Sequence, residues 1–306
     1  MATLTELIEG ISPDADNSVA VAAAADNEVL EAISKAVELN LASFRLYDDE
    51  AKLKRIILSD FPHLATHPKI RIHHVKGAAH AAREAVKAVY MNDANVLMKG
   101  LIPTAVLLKA VLNPDYGLRT GNVLSHVAAF EIEGFDRLIF ITDAGMNIEP
   151  DLQQKAQIIQ NAVGIARAVG VEMPIVAPLA AVEVINPAMQ ATLDAAALTV
   201  MNRRGQITDC IVDGPLALDN AISLNAAAHK GLLGETAGKA DILLVPNIES
   251  GNILYKSLVF FSKAKVGGII AGAKAPIVLT SRADSAESKL FSLALAIRSS
   301  VMNETY

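Results

Sequence analysis

Leu138-Ile-Phe-Ile-Thr142, followed by Asp151-Leu-Gln-Gln-Lys-Ala-Gln-Ile-Ile-Gln-Asn-Ala-Val163, is the stretch that decides the architecture. An unbroken run of apolar and β-branched residues reads as a strand buried on both faces, which is the habit of parallel sheets. The period then changes. Leu152, Ala156, Ile159 and Val163 recur every three or four positions and line one stripe of a helix. The same alternation runs outward in both directions. Apolar runs at 19–24, 44–47, 70–75, 95–98, 128–132, 175–177, 207–212, 242–245, 268–271 and 277–279 predict further strands. Helical patterns lie between most of them, the last starting near Ser285 with Leu290, Leu293, Ala294 and Ile297 inward. Strand–helix alternation of this kind predicts an α/β fold of βαβ units with mostly parallel sheets.

The 306 residues are 52% hydrophobic and 20% charged, which excludes disorder and leaves length for two domains. Turn-rich stretches at Asn113-Pro-Asp-Tyr-Gly-Leu-Arg-Thr-Gly121 and Ala273-Lys-Ala-Pro276 mark the boundaries. The expected organisation is a first α/β domain over 1–120, completed by 275–306, a second over 121–274, and a cleft between them. With 27 Lys and Arg against 33 Asp and Glu the net charge is −6, which argues against nucleic acid as a partner. An anionic ligand then needs a local cluster of donors. Mean hydropathy is +0.35, yet the longest charge-free apolar stretch falls far short of the ~20 residues that cross a bilayer. The start, Met1-Ala-Thr-Leu-Thr-Glu6, is acidic where a signal peptide is basic. Cys210, the single cysteine, has no internal disulfide partner. These features predict a cytoplasmic protein with no membrane partner.

The motif scan narrows the chemistry. There is no Gly-x-Ser-x-Gly elbow, no His-Glu-x-x-His and no cysteine pair for zinc. His63, His67, His73, His74 and His80 cluster without paired spacing and read as structural or solvated. Gly267-Gly-Ile-Ile-Ala-Gly272-Ala-Lys274 misses the phosphate-loop pattern, because Lys does not follow Gly directly and no hydroxyl follows Lys. Cys210, inside an apolar run, reads as a buried thiol rather than a nucleophile.

Three strand-to-helix junctions remain. After Leu279, Thr280-Ser281-Arg282-Ala-Asp284-Ser-Ala-Glu287 places an Arg at the carboxyl end of a strand beside a helix start. A guanidinium and helix amides there can hold a phosphoryl group. Asp284 and Glu287 have the spacing of a capping box. After Leu244, Val-Pro-Asn247-Ile-Glu-Ser-Gly251-Asn252-Ile-Leu-Tyr-Lys256 supplies a tight turn, with Asn252 and Lys256 one helical turn apart. The third, Asp209-Cys-Ile-Val-Asp213-Gly-Pro-Leu-Ala-Leu-Asp219, offers three acids. On a strand Asp209 and Asp213 lie about 13 Å apart, too far to share one metal ion.

Taken together, Asp213-Gly-Pro-Leu216, Pro246-Asn-Ile-Glu-Ser-Gly-Asn-Ile-Leu-Tyr-Lys256 and Ser281-Arg282 resemble the phosphate acyltransferase family of phosphate acetyl- and butyryltransferases. Gly117-Leu-Arg119-Thr-Gly121, Leu124-Ser-His126 and Thr142-Asp143-Ala-Gly-Met-Asn147-Ile-Glu-Pro150 are most like the butyryltransferase branch. The resemblance implies reversible transfer of a short acyl group between coenzyme A and inorganic phosphate by direct attack in a ternary complex, without metal or cofactor. It implies a fold like that of isocitrate and isopropylmalate dehydrogenases, and a homo-oligomer whose partners are acyl-CoA, phosphate and acyl phosphate.

Residue by residue, the same resemblance makes Ser281 and Arg282 the phosphoryl-binding pair. Gly100 and Thr104 match the family's Gly-then-hydroxyl turn; the Arg that follows it in acetyltransferases is replaced by Lys109, with Arg119 as the alternative. Asn147, Asp213, Gly251, Asn252 and Lys256 fall in the matching motifs as substrate-binding positions. The acetyltransferase branch carries an Asp six residues after the Arg, where this chain has Ser288, so Glu287 becomes the candidate base. Two alternatives belong to other classes. One is an NAD(P)-dependent hydroxyacid dehydrogenase built on Asp209, Asp213 and Asp219; the other is a non-catalytic coenzyme A-binding protein.

Overall fold

The structure, a computed structural model, describes residues 3–232, 234, 236–279 and 284–300. Its elements run α1 (Leu4–Glu9), β1 (Ser18–Ala22), α2 (Asn27–Glu38), β2 (Ser43–Asp48), α3 (Glu50–Asp60), β3 (Ile70–His74), α4 (Ala78–Tyr90), β4 (Val96–Lys99), α5 (Thr104–Val111), β5 (Ser125–Glu131) and β6 (Ile139–Thr142). They continue with α6 (Leu152–Ala168), β7 (Ile175–Pro178), α7 (Gln190–Arg203), β8 (Ile211–Val212), α8 (Leu218–Ile222), α9 (Leu224–His229), β9 (Ile242–Leu244), α10 (Ile248–Phe260), β10 (Lys265–Ala271), β11 (Ile277–Val278) and α11 (Ala286–Ser300). The chain divides into an outer unit, 5–122 with 267–306, and an inserted unit, 123–266 with 1–4.

The outer unit orders its strands β3-β2-β1-β4-β11-β10. Every pair is parallel except β10–β11, which the chain joins directly through Gly272 at φ +90. A tight turn of that kind permits only an antiparallel neighbour; a parallel one needs a crossover. Val19, Val21, Phe44, Leu46, Val96, Leu97 and Met98 are fully buried, as the Val/Ile/Leu runs require of a sheet covered on both faces. Helix α11 packs on α2, β4 and β11 and is buried nearly all round from Lys289 to Ile297. Gly267 makes that approach possible, since a Cβ there would lie 2.8 Å from the Phe291 backbone. Gly267 of the phosphate-loop near miss therefore belongs to a strand that lets a helix come close, and Gly272 to the turn that follows it.

The inserted unit orders its strands β5-β6-β9-β7-β8, parallel except for β5–β6. Phe130, Ile139, Ile141, Ala177, Leu243 and Val245 form its core. Each fully buried side chain of Leu or Phe size contributes about 1.5–3 kcal/mol to that core. Helix α6 buries Ile158, Ile159, Ala162, Val163 and Ala166. It starts on a capping box, with Asp151 accepting from the Gln154 amide and Gln154 reaching back to the Asp151 amide.

One predicted strand is shorter than its apolar run. The 207–212 segment pairs only at Ile211–Val212, because Asp209 adopts φ +60, a left-handed conformation that breaks extended backbone.

Candidate active site

In open α/β sheets ligands sit where the chain leaves the carboxyl ends of the strands. In the inserted unit, neighbouring strands β6 and β9 each end in one of the motifs quoted above. After β6 comes Asp143, 2% exposed. Its Oδ1 accepts from the amides of Gly145 (2.9 Å) and Met146 (3.0 Å), and its Oδ2 from the Asn147 amide (3.2 Å) and Asn147 Nδ2 (2.6 Å). This carboxylate is committed to holding the turn. Asn147 Nδ2 also donates to the Leu124 carbonyl at 2.8 Å, so both side-chain N–H groups are spent.

After β9, Asn247 caps α10 by accepting from the Ser250 amide at 3.0 Å and the Ser250 hydroxyl at 2.7 Å. One turn on, Gly251 lies flat against the β6 turn. A Cβ there would sit 2.7 Å from Val245 Cγ2, 2.8 Å from the Asp143 carbonyl and 3.0 Å from Ala144 Cα. Asn252 Nδ2 donates to the Ala144 carbonyl at 3.4 Å. The structure thus joins Asn147, Gly251 and Asn252 through Asp143 and Ala144. Lys256 follows on the same helix, exposed, with Nζ 5.4 Å from the Tyr255 ring. Tyr255 in turn packs edge-on against Phe130.

Asp213 is placed apart from these. It follows β8 and accepts through Oδ2 from the Thr236 hydroxyl. Asp209 pairs with Arg167 at 2.8 Å. The acids of the dehydrogenase reading therefore face different partners. Among the described residues no three of His, Cys, Asp and Glu gather around one point that could hold a metal ion.

In the outer unit, Gly100 marks a close approach of β4 to β1, where a Cβ would lie 2.0 Å from the Ala23 carbonyl oxygen. The Gly100 and Leu101 amides donate to Ala22 and Ala23, and α5 then begins at Thr104 after Pro103. Arg119 is exposed and bridges to Ala273, while the Thr120 hydroxyl donates to Gly272 at 2.6 Å. The 117–121 motif is thereby clamped on the β10–β11 turn, away from the Gly100 junction in sequence but in the same unit. Ser281 and Arg282 lie outside the described residues.

The predicted capping box is corrected by one residue. Ser285, not Asp284, caps α11, its hydroxyl accepting from the Ser288 amide at 3.1 Å. A cap serves the amide two or three positions on, which makes Ser288 the partner and leaves Glu287 exposed on the first turn. Ser288, which stands at the Asp position of the acetyltransferase branch, is here part of a helix start.

Four histidines of the outer unit make local contacts. His63 bonds Ser34 at 2.7 Å, His67 and His74 accept from the amides of Lys69 and Glu50, and His73 stacks on Tyr47 at 4.7 Å. Burial pushes the Cys210 thiol up to about 12, with neighbouring Asp209 adding to the effect, so no thiolate forms near neutrality. Reading the sequence missed three buried lysines. Lys155 pairs with Asp194 at 2.6 Å beside the carboxyl ends of β7 and β9, Lys289 pairs with Glu28 at 2.9 Å, and Lys99 ends β4. A lysine in a sequence signals a solvated surface, and only the fold reveals otherwise.

A family model described as "Phosphate acetyl/butaryl transferase" matches residues 61–297. The chain is 56% identical over 294 residues to a Bacillus subtilis (strain 168) protein named "Probable phosphate butyryltransferase", covering 96% of this chain and 97% of that one. It is 49% identical to the phosphate butyryltransferase of Clostridium beijerinckii over 95% of each chain. Among solved structures, the branched-chain phosphotransacylase of Enterococcus faecalis V583 superposes with a TM-score of 0.82 at 38% identity, covering 93% of this chain and 99% of that one. The residues quoted from the sequence, the parallel α/β architecture and these matches agree: the chain belongs to the phosphate acetyl/butyryl transferase family, whose members are acyltransferases.

Proposed function

We propose that this chain transfers a short acyl group reversibly between coenzyme A and inorganic phosphate, with a butyryl-length or branched acyl chain as its substrate. Family membership supports the reaction class, and the relatives' names support the chain length. On the chain itself the reading is carried by the joint at Gly251, which seats the start of α10 on the β6 turn and leaves Asn252 and Lys256 at the carboxyl edge.

In the forward direction a phosphate oxygen attacks the thioester carbonyl carbon. A C–O bond forms, the carbonyl electron pair moves onto oxygen, and on collapse the C–S pair leaves with sulfur as the coenzyme A thiolate. A thiol of that kind has a pKa near 8.5, so it departs near neutrality with modest assistance. Preorganised donors aimed at the developing oxyanion are worth about 3–4 kcal/mol each. Asn252, Lys256 and the α10 amides are of the right type. Ser281 and Arg282 keep the role the resemblance assigns, holding the phosphoryl oxygens. Glu287 takes the thiol proton in the reverse direction, from a position where no cap competes for it. Binding both substrates at once supplies proximity without a protein nucleophile, which agrees with the buried Cys210 thiol.

The same reading includes a cytoplasmic homo-oligomer that uses coenzyme A as substrate and needs no metal or bound cofactor. No helix among the described residues is long and apolar enough to cross a membrane. Acyl preference should be graded, roughly fourfold per methylene, since each contributes ~0.8 kcal/mol. The test incubates the protein with acyl-CoA of two to five carbons and phosphate, and follows thiol release. Release that depends on phosphate and peaks at four or five carbons is expected, with loss in Arg282→Ala and Glu287→Gln. No phosphate-dependent release at any chain length overturns the proposal.

A further inference from the structure

Helix α10 packs one side against its own unit. Leu254, Tyr255, Leu258 and Val259 rest on the core of the inserted unit, and Gly251 is the residue of the helix that is buried. The opposite side is apolar as well. Ile253 is 67% exposed, Phe260 62%, and Phe261, just past the last turn, 86%, the highest value for a large hydrophobic side chain among the described residues. The two phenylalanines alone expose on the order of 200–400 Å², taking about 150–250 Å² for a whole aromatic side chain. Apolar surface of that extent marks an interface. Ile148, 69% exposed, extends it: its carbonyl accepts from the Ile248 amide at 3.0 Å, which sets it beside the start of the helix.

The order of charges along this side selects the occupant. Glu249, Ile253, Lys256 and Phe260 follow at steps of four, three and four, so they share one outward line. The acid and the ammonium lie about 10 Å apart along the axis, too far to pair with each other, and Ile253 stands midway. A two-fold axis near Ile253 turns that spacing into complementarity. An antiparallel copy of α10 brings Glu249 against the partner's Lys256, Lys256 against the partner's Glu249, and Ile253 against the partner's Ile253. The same operation carries Phe260 past the start of the partner helix, to the level of the partner's Ile148. We propose that α10 is the face through which two copies of this chain associate, and that the partner's Glu249 then stands beside Lys256 of the candidate site. The inference rests on the reading of the chain as a homo-oligomer and gives that assembly its surface.

Sedimentation of the full-length protein tests it. The wild type should be dimeric at about 10 μM, above the micromolar limit of interfaces of ordinary size. Ile253→Glu and Phe260→Glu each place a carboxylate in the joint twice, once per copy. Either should raise the dimer dissociation constant about 100-fold or more, while thermal melting stays cooperative. Glu249→Lys should weaken the dimer about tenfold at low salt, and Glu249→Lys with Lys256→Glu should restore it, because the pair is rebuilt with its signs exchanged. Oligomeric state is the readout for that exchange, since Lys256 belongs to the candidate site. If Ile253→Glu or Phe260→Glu does not fold, the exchange decides. A monomeric wild type, or a dimer indifferent to both glutamate variants, overturns the proposal; an exchange that restores nothing overturns the pairing of Glu249 with the partner's Lys256. A dimer through α10 that releases no thiol from acyl-CoA refutes the transferase reading and leaves the interface standing.

Discussion

Gly251→Ala adds one methyl group where α10 meets the β6 turn, and the structure sets the size of the conflict. The new Cβ would fall 2.8 Å from the Asp143 carbonyl and 3.0 Å from Ala144 Cα, where ordinary contact begins at 3.4 Å. Both obstacles are backbone, so relief requires the start of α10 to withdraw by about 0.6 Å; Val245 Cγ2, at 2.7 Å, can swing aside. Overpacking of this kind costs about 1–3 kcal/mol, against about 1 kcal/mol gained by replacing Gly with Ala inside a helix. The net loss of roughly 0–2 kcal/mol should lower the melting temperature by only a few degrees. Turnover should suffer more, since a displacement approaching 1 Å at a reacting site costs up to about 100-fold. The expected result is phosphate-dependent thiol release reduced at least about tenfold in a protein that still melts cooperatively. Gly164→Ala is the control. Gly164 lies on the exposed side of α6 with nothing near its missing Cβ, so it should gain about 0.5–1 kcal/mol and keep wild-type activity. If Gly251→Ala folds and turns over within twofold of the wild type, the joint at Gly251 does not position the site.

Lys155→Met leaves Asp194 buried without its cation and should cost about 3–5 kcal/mol in chemical denaturation, while Lys155→Met with Asp194→Leu should recover most of that loss. Burial, reinforced by Arg45 and Arg71, holds the His73 imidazole below its ordinary value of 6.5. The unfolded chain therefore takes up a proton near pH 6.5 that the folded chain refuses. The stability tied to that group is present above 6.5 and is lost as the pH falls from there through the folded value. His73→Gln should flatten the fall of melting temperature below pH 6.5; an unchanged slope would assign the fall to other groups. Cys210, its thiol pushed up to about 12, should resist alkylation at pH 8 until the chain unfolds, and Cys210→Ala should keep full thiol-release activity.

Most strands were legible because they are apolar runs buried on two faces, as at Ile139–Thr142 and Val96–Lys99. The segment around Asp209 misled because its apolar pattern continues through a residue whose backbone turns left-handed, and periodicity is blind to φ. The cap of α11 moved from Asp284 to Ser285 because both types cap equally well and local spacing cannot choose between adjacent candidates. At the site, Gly251 and Asn252 could be picked out from the turn they make. The commitment of Asn147 to Asp143 and Leu124 could not, since Leu124 is remote in sequence and meets it only through the sheet. Lys99 escaped for a similar reason. Its burial comes from Ala22 and Ile277–Val278 arriving on either side of β4, and none of them is near it in sequence.

The ion pair between Glu28 and Lys289 ties together residues 261 positions apart, and β11 and α11 cover a sheet begun at β1. A ribosome emits the whole inserted unit before the outer one has its closing pieces. Until those pieces emerge, α2 lacks the helix that packs against it. Nascent chains halted near residue 266 should accordingly bind chaperones through the amino-terminal third, and release should coincide with translation of the final helix.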